Sequence, residues 1–346
     1  MRSNPNQFTK LTPQEVTQYL NRLNLTHSQL PSCSIETLKL LHLNHLLYIP
    51  FDTTSLQLPK NWWKSNQNHD DKNENGKEDG KEKEKVWVNP MKKEFEGVFL
   101  DEVESFNRII IEGRGGYCFN LNYLFARLLI TLNYEVTLQG ARVNMYRNSN
   151  PSTHGHLWSP ITHLTLFVTI PSSPRKFLCD IGFGGGSSAF PIELIPDIPI
   201  KTLTKGEEFK LNFQLCPDLE NENGNEGQKA WTVERFVNGY WSACYHVYLN
   251  PLTVSDLEVY NWYNSTCPAA HFKSFMVVSI LKPNGSRRTL TATTNPEGTH
   301  DQIIKLYTKE NVISEESDVS IIEPNFNTFY ETLCKEFGWG IQLDRR

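Results

Sequence analysis

The sequence lacks several features that define large classes of protein. Its 346 residues contain no apolar run near the roughly 18 residues of a membrane-spanning helix, and residues 1–7 lack the apolar core of a signal peptide. Its 34 Lys and Arg against 39 Asp and Glu leave a net charge of −5, without the basic excess of proteins that bind nucleic acid or anionic membranes. We therefore expect a cytoplasmic protein with no nucleic-acid and no membrane partner.

The cysteines form no pattern that would bind a metal or build a disulfide framework. There are seven of them, an odd number, and no two are spaced as C-x-x-C. The pairs His42 and His45, and His154 and His156, lack the glutamate and the spacing of an H-E-x-x-H zinc motif. We expect no metal site, and we expect the cysteines to be free thiols in a reducing compartment.

The hydrophobic pattern changes along the chain from helical to strand-like. Thr12 and Glu15 form a capping box at the start of a first helix, and a second helix is predicted from Ser34. Beyond Asn133 the apolar residues recur with a period of two, which predicts strands. A last helix is predicted for residues 328–337. The composition and these patterns together predict an α+β protein.

One internal segment is predicted to be a disordered surface loop. Residues 64–85 contain no apolar side chain, so this segment cannot bury enough surface to offset the entropy lost on ordering. The remaining chain has a correspondingly more ordinary composition.

Cys118 differs from the other cysteines in its neighbourhood. The apolar spacing that begins at Leu121 predicts a helix whose first turn contains Cys118, where unpaired N–H groups and the helix dipole favour a thiolate. Gly115 and Gly116 would let the backbone turn sharply and leave room beside the sulfur, and Arg114 adds positive charge. Cys118 is therefore a candidate nucleophile; a buried cysteine at the start of a core helix is the alternative.

His163 and Asp180 lie on two successive predicted strands. Alternation over residues 163–170 turns His163 away from the aliphatic side of its strand, and the next strand ends at Asp180. Antiparallel pairing across the short turn would place Asp180 beside His163. The carboxylate would then orient the imidazole toward the Cys118 sulfur in a Cys-His-Asp triad. Taken singly, His163 could be a satisfied core residue and Asp180 a turn residue.

These motifs resemble those of the arylamine N-acetyltransferase family. R-G-G-Y-C-F-N at 114–120, T-H-L at 162–164 and D-I-G-F-G at 180–184 fit in order, spacing and flanking residues. P-F-D at 50–52 and the region 248–275 resemble further parts of the family. The resemblance covers most of the chain.

The resemblance implies a fold in three parts. It predicts a helical bundle over residues 1–134 that ends in the Cys118 helix, a β-barrel over 135–250 that carries the histidine and the aspartate, and an α/β lid over 251–346. The first two parts would form a core like that of a papain-like cysteine protease.

The resemblance also implies a ping-pong acyl transfer. An acyl group would pass from acyl-coenzyme A to a Cys118 thioester and then to an arylamine, arylhydroxylamine or hydrazine, a reaction that detoxifies xenobiotics. His163 would be the ion-pair partner and proton shuttle, and Asp180 would orient it. The acyl group is acetyl or, as in some fungal-type members, malonyl; coenzyme A thioesters are co-substrates, and no permanent cofactor is expected. A papain- or transglutaminase-like thiol hydrolase and a catalytically silent binding protein of the same fold stay open as alternatives.

Further site residues follow from the resemblance and from charge. Residues matched to positions that contact coenzyme A or substrate are Ser159, Pro160, Tyr263 and Ala269. Arg287 and Arg288 are candidate partners for the phosphates of coenzyme A, with a solvated hairpin tip as the alternative. Phe119, Thr162 and Phe183 flank the triad and are expected to contact substrate; core packing is the alternative for the two phenylalanines.

Overall fold

The computed structural model describes most of the chain. The described residues are 8–30, 32–58, 98–171, 173–216, 228–273, 275–294, 302–310 and 317–340. The segment predicted to be disordered, 64–85, lies outside them.

Four of the described α-helices lie in the N-terminal part of the chain before the first long strand, and three are interspersed with or follow the later strands. The helices are α1 (Pro13–Arg22), α2 (Ile35–Tyr48), α3 (Glu102–Phe106), α4 (Cys118–Thr131), α5 (Pro151–His154), α6 (Val254–Thr266) and α7 (Phe326–Phe337). A π-helical turn, Asn107–Ile111, follows α3. In the part of the chain that the structure describes, no helix has both the length and the apolar character to cross a bilayer.

The predicted helix starts are confirmed in the N-terminal layer. Thr12 caps α1 with a complete capping box, and the Ser34 hydroxyl accepts from the Thr37 N–H at the start of α2. α7 begins two residues before its predicted start, because the Asn325 side chain caps it, and it ends at Gly338 in the left-handed conformation. α4 is buried around its whole circumference from Cys118 to Leu129, so it forms the centre of the helical layer.

An antiparallel eight-stranded sheet forms a nearly closed barrel. The strands are β2 (Glu135–Asn144), β3 (Trp158–Thr169), β4 (Lys176–Cys179), β5 (Ile192–Glu193), β6 (Ile200–Lys201), β7 (Glu208–Leu215), β8 (Lys229–Val237) and β9 (Tyr240–Leu252). Their order is β5-β4-β3-β2-β9-β8-β7-β6. The chain after β5 bridges to Leu211 on β7, where the Asp197 N–H donates to the Leu211 carbonyl at 2.8 Å, so the two ends of the sheet approach each other.

A second, five-stranded sheet packs against α7. Its strands are β1 (Phe51–Asp52), β10 (Phe275–Leu281), β11 (Arg287–Thr294), β12 (Gln302–Lys309) and β13 (Asp318–Ile322), paired in that order. Because β1 comes from the N-terminal third, this sheet is joined to the helical layer. β9 runs to Leu252, so this strand extends past the predicted boundary at 250.

Candidate active site

Cys118 is the first residue of α4, as predicted, and its side chain is 3% exposed.

Gly115 and Gly116 have a different role from the predicted one, since neither has a positive φ. A Cβ at Gly115 would lie 2.3 Å from the Pro50 carbonyl oxygen, and one at Gly116 would lie 2.9 Å from Asn120 Cβ. The glycines therefore allow the segment before Cys118 to pack closely against its surroundings, and no sharp turn requires them.

His163 and Asp180 meet as the strand pairing predicts. β3 and β4 pair antiparallel, and His163 Nε2 lies 2.8 Å from Asp180 Oδ2. Asp180 Oδ1 accepts from the Gly182 N–H at 2.9 Å and from the Asn122 side-chain amide at 3.0 Å. Both members of the pair are almost fully buried, so the carboxylate is held by protein donors instead of water.

A β-bulge brings His163 to the cysteine. Ala141 on β2 pairs with His163 and Arg142 pairs with Ile161, so Thr162 is an extra residue in β3. The Cys118 thiol lies 3.9 Å from the Thr162 carbonyl oxygen and in hydrogen-bonding contact with His163. Since Asp180 occupies Nε2, Nδ1 is the ring nitrogen left for the sulfur. The three predicted residues thus form one constellation.

The charges of the pair stabilise each other. Burial alone lowers the pKa of His163, but the charge of Asp180 and the hydrogen bonds to Asp180 and Cys118 outweigh it and raise that pKa well above its ordinary value. Burial raises the pKa of Asp180, but His163, Asn122 and the Gly182 N–H lower it below the usual range. The imidazole is therefore cationic at neutral pH and can act as the counter-ion of a negative charge that develops beside it.

Two aromatic rings flank the imidazole. The centroids of Phe183 and Tyr245 each lie 5.0 Å from that of His163, both edge-on. Tyr245 also hydrogen-bonds Asp180, and burial raises the pKa of its hydroxyl well above the ordinary value, so this hydroxyl remains a donor. The two rings limit rotation of the imidazole away from the sulfur.

His42 on α2 supports Asp180 from behind and was missed by the sequence reasoning, which considered it only as a metal ligand. Its Nε2 accepts from the Asp180 backbone N–H at 3.2 Å, and its Nδ1 donates to the Ala189 carbonyl at 3.2 Å. Burial lowers the pKa of His42 to about 4, although the Ala189 hydrogen bond and the Asp180 charge oppose this, so the ring is neutral. Its position among the buried leucines of α2 was the available signal.

Asn122 links the cysteine helix to the aspartate loop and was also missed. It lies one turn after Cys118, and its amide donates to the Leu164 carbonyl at 2.6 Å as well as to Asp180. Its oxygen accepts from the Ile181 N–H at 3.1 Å. The signal was an amide side chain at i+4 from the nucleophile, and therefore on the same face of the predicted helix.

A cavity of about 450 Å³ opens onto the triad. Cys118 and His163 line it, together with six of the other predicted site residues: Ser159, Pro160, Thr162, Phe183, Tyr263 and Ala269. Most of the remaining wall is apolar and comes from both sheets and from segments next to their strands, including Phe51, Val143, Met145, Leu157, Phe272, Phe275 and Val277. The cavity therefore lies where the helical layer and the two sheets meet.

Three predicted contact residues lie elsewhere. Phe119 is fully buried against Tyr117 and does not line the cavity. Arg287 is buried, where it donates to the Ser187 carbonyl at 2.9 Å and pairs with Glu207 at 3.2 Å. Arg288 pairs with Glu336 at 3.4 Å. The assignments of Phe119 to substrate and of Arg287 to coenzyme A are corrected, because interior packing and a buried ion pair engage these side chains. Arg288 does not line this cavity, and its assignment to coenzyme A stays a prediction.

The geometry is that of a cysteine nucleophile activated by a histidine and a carboxylate, and comparison with known proteins identifies the family. The N-acetyltransferase family model matches residues 91–328. An arylamine N-acetyltransferase from Escherichia coli is 25% identical over 323 residues, covering 93% of this chain and 88% of that protein. The structure of an arylamine N-acetyltransferase from M. tuberculosis aligns with a TM-score of 0.67 at 21% identity, covering 94% of each chain.

These matches agree with the triad that the fold assembles. The chain belongs to the arylamine N-acetyltransferase family and is an acyltransferase.

Proposed function

We propose that this enzyme transfers an acetyl group from acetyl-coenzyme A to the amino group of arylamines through a thioester on Cys118. The single observation that carries the proposal is the placement of Cys118 beside the hydrogen-bonded pair of His163 and Asp180, with Cys118 and His163 lining a largely apolar cavity. The relatives named arylamine N-acetyltransferase support the choice of donor and acceptor.

The first half-reaction forms the thioester. The Cys118 thiolate attacks the carbonyl carbon of the acyl donor, the new C–S bond forms, and the bond to the coenzyme A sulfur breaks. The leaving thiolate takes the proton from the His163 imidazolium, so free coenzyme A thiol departs and the imidazole is neutral.

The second half-reaction regenerates the ion pair. The amine nitrogen attacks the thioester carbonyl, His163 takes the proton that the nitrogen loses, and the Cys118 sulfur leaves as a thiolate. The amide product is released, and the imidazolium again faces the thiolate. Asp180 keeps its charge throughout and stabilises the imidazolium in the resting state.

Backbone N–H groups are suited to stabilise the tetrahedral intermediates. The first N–H groups of α4 have no intrahelical acceptor, and the Cys118 N–H belongs to this set. An oxyanion that develops beside the sulfur would be close to these donors and to the positive end of the helix dipole.

The cavity wall suits an aromatic acceptor. Phe183 and the other apolar residues of the wall offer surface for a ring, and the cavity would hold the amine beside the thioester. Arylhydroxylamines and hydrazines present a similar nucleophilic nitrogen, and their acylation would detoxify xenobiotics. We extend the proposal to them and to a cytoplasmic location.

The proposal includes the three-part organisation. The helical layer and the barrel would form a core like that of cysteine proteases, with the nucleophile on the helix and the histidine on the barrel. The five-stranded sheet with α7 would form the lid, with divisions near residues 134 and 250.

Purified protein and Cys118→Ala, mixed with acetyl-coenzyme A and para-anisidine, test the proposal. We expect N-acetylated product and an intact mass increased by one acetyl group from the native chain alone. Equal product from both proteins, or no product and no adduct, would refute it; loss of the acetyl group to water with no amide product would instead favour a thiol hydrolase.

The donor is tested by the same measurement. Acetyl- and malonyl-coenzyme A are supplied separately at equal concentration, and the rate of Cys118 adduct formation is compared. A faster malonyl adduct would assign a dicarboxylic acyl donor, and a faster acetyl adduct would assign acetyl transfer.

A further inference from the structure

Arg147 introduces a positive charge into the active-site cavity. It lies in the turn after β2, and its half-buried side chain lines the same cavity as Cys118. Its neighbours in the wall are apolar: Val143, Met145 and Leu157. Neither the triad nor the proposed chemistry uses this guanidinium.

The charge of Arg147 has no anionic partner in the described part of the chain. One guanidinium nitrogen donates to the Asn144 carbonyl at 3.4 Å, and the group lies 5.6 Å from the centre of the Phe183 ring. By contrast, the buried Arg287 is compensated by Glu207. Removing a cation from water without a counter-charge is costly, so a guanidinium in such a wall is suited to an anion from outside the protein.

The position of Arg147 is fixed by its turn. Asn144 is fully buried and donates to the Ala243 carbonyl at 3.0 Å, while its side-chain oxygen accepts from the Tyr146 N–H at 3.0 Å and the Leu157 N–H at 3.2 Å. These bonds hold both sides of the loop between β2 and β3. The guanidinium is thus presented in place, which lowers the entropy lost when an anion binds.

The charge of Arg147 also acts on another residue that lines the cavity. His271, which follows α6 and lines the cavity, has its pKa lowered first by burial and then by the charge of Arg147. Burial also lowers the pKa of Arg147 itself, the charge of Arg235 adds to this, and the Cys244 thiol opposes it. Arginine nevertheless remains charged at neutral pH, so its charge acts across the substrate space.

We propose that Arg147 forms an anion-binding subsite of the active site that takes the carboxylate of a substrate. The planar guanidinium has nitrogens free of the Asn144 contact and fits one carboxylate in a two-point hydrogen bond. The carboxylate belongs either to a dicarboxylic acyl group on Cys118 or to a ring substituent of the aromatic amine. This subsite deepens the proposed acyl transfer and rests on it for the choice of substrates.

Paired substrates that differ only in the carboxylate test the subsite. With acetyl-coenzyme A as donor, kcat/KM is measured for para-aminobenzoate and for the neutral para-anisidine; with para-anisidine as acceptor, malonyl- and acetyl-coenzyme A are compared. The variants are Arg147→Gln and Arg147→Lys. Arg175→Gln is the matched control, because it removes the same charge from an exposed side chain outside the cavity.

In Arg147→Gln, kcat/KM for the carboxylate substrate divided by kcat/KM for its neutral counterpart should fall about 10- to 100-fold in one of the two pairs. This is the range of a charge-assisted hydrogen bond. Arg147→Lys should lie between the native protein and Arg147→Gln, and Arg175→Gln should match the native ratio. The ratio that falls identifies the source of the carboxylate. Equal losses for charged and neutral substrates, as expected from a coenzyme A contact or a structural role, would overturn the proposal.

Alkylation of Cys118 provides a readout that does not depend on acyl transfer. Iodoacetate and iodoacetamide both attach a carbon to the thiolate and release iodide, but only iodoacetate carries a carboxylate. Arg147→Gln should lower the iodoacetate-to-iodoacetamide rate ratio if the subsite serves the acyl group. If the native protein transfers no acyl group to any amine, the proposed function fails. The alkylation ratio alone then tests whether Arg147 forms the subsite. An unchanged alkylation ratio together with unchanged or absent substrate ratios would overturn the subsite.

Discussion

His42→Gln should make the protein less sensitive to acid. The native ring is held neutral in a buried site between the Asp180 N–H and the Ala189 carbonyl. Glutamine keeps an oxygen near the position of Nε2 that can accept from Asp180, and it binds no proton in this pH range. The comparison therefore isolates the titration of His42.

The expected magnitude follows from the displaced pKa. The pKa of His42 is about 4 in the folded protein, against 6.5 for an unperturbed histidine. Between these values the unfolded chain binds more protons than the native one, so stability rises with pH and is lost as pH falls from 6.5 toward 4. The linkage expression gives a loss of about 2 kcal/mol at about pH 5 and nearly zero at about pH 8.

Urea unfolding followed by tryptophan fluorescence at these two pH values measures the effect. The free-energy difference between the native protein and His42→Gln should be about 2 kcal/mol more favourable to the native protein at about pH 8 than at about pH 5. The other titratable groups are the same in both proteins, so their contributions cancel in this free-energy difference. A difference that stays constant within about 0.5 kcal/mol would refute the neutral, hydrogen-bonded state assigned to His42.

Three further substitutions test other contacts. Asp180→Asn should slow acylation of Cys118 by about 10³- to 10⁴-fold, because the His163 imidazole loses the negative charge that raises its pKa. Iodoacetamide alkylation near pH 7 should slow as well; an unchanged alkylation rate would contradict the ion pair. Gly182→Ala should cost about 1–3 kcal/mol in urea unfolding, since the new methyl would lie 2.8 Å from Cys118 Cα. Gly185→Ala is its control, with the nearest atom at an ordinary 3.5 Å, and equal losses in the two variants would contradict the packing argument. Glu207→Gln should lower stability by about 3–5 kcal/mol, because it leaves buried guanidinium charge uncompensated. A urea midpoint equal to that of the native protein would show that water reaches this site.

The triad could be predicted because its geometry is local at each step. The helix start at Cys118 follows from apolar spacing, and the meeting of His163 with Asp180 follows from a short antiparallel pair. Only the contact between the helix and β3 required the tertiary fold. The bulge at Thr162, which turns the histidine to the sulfur, left no mark in the alternation pattern.

The residues that sequence reasoning missed or misplaced depend on contacts over long separations. His42 meets Asp180 from 138 positions away, and Arg287 finds Glu207 80 positions away. No periodicity encodes such pairs. The error at Phe119 is different, because neighbouring residues on a helix point about 100° apart. If Cys118 faces the cavity, Phe119 faces the core, and helix geometry alone could have shown this.

The location of the triad separates chemistry from specificity. Asp180 is bonded at once to α2 through His42, to α4 through Asn122 and to β3 through His163. Opening any of these layers breaks the set, so the catalytic geometry requires all three to stay packed together. Arg147 instead lies on a turn at the cavity wall, where substitution leaves those bonds intact. Substrate choice can therefore change at this turn without disturbing the thiolate and its histidine.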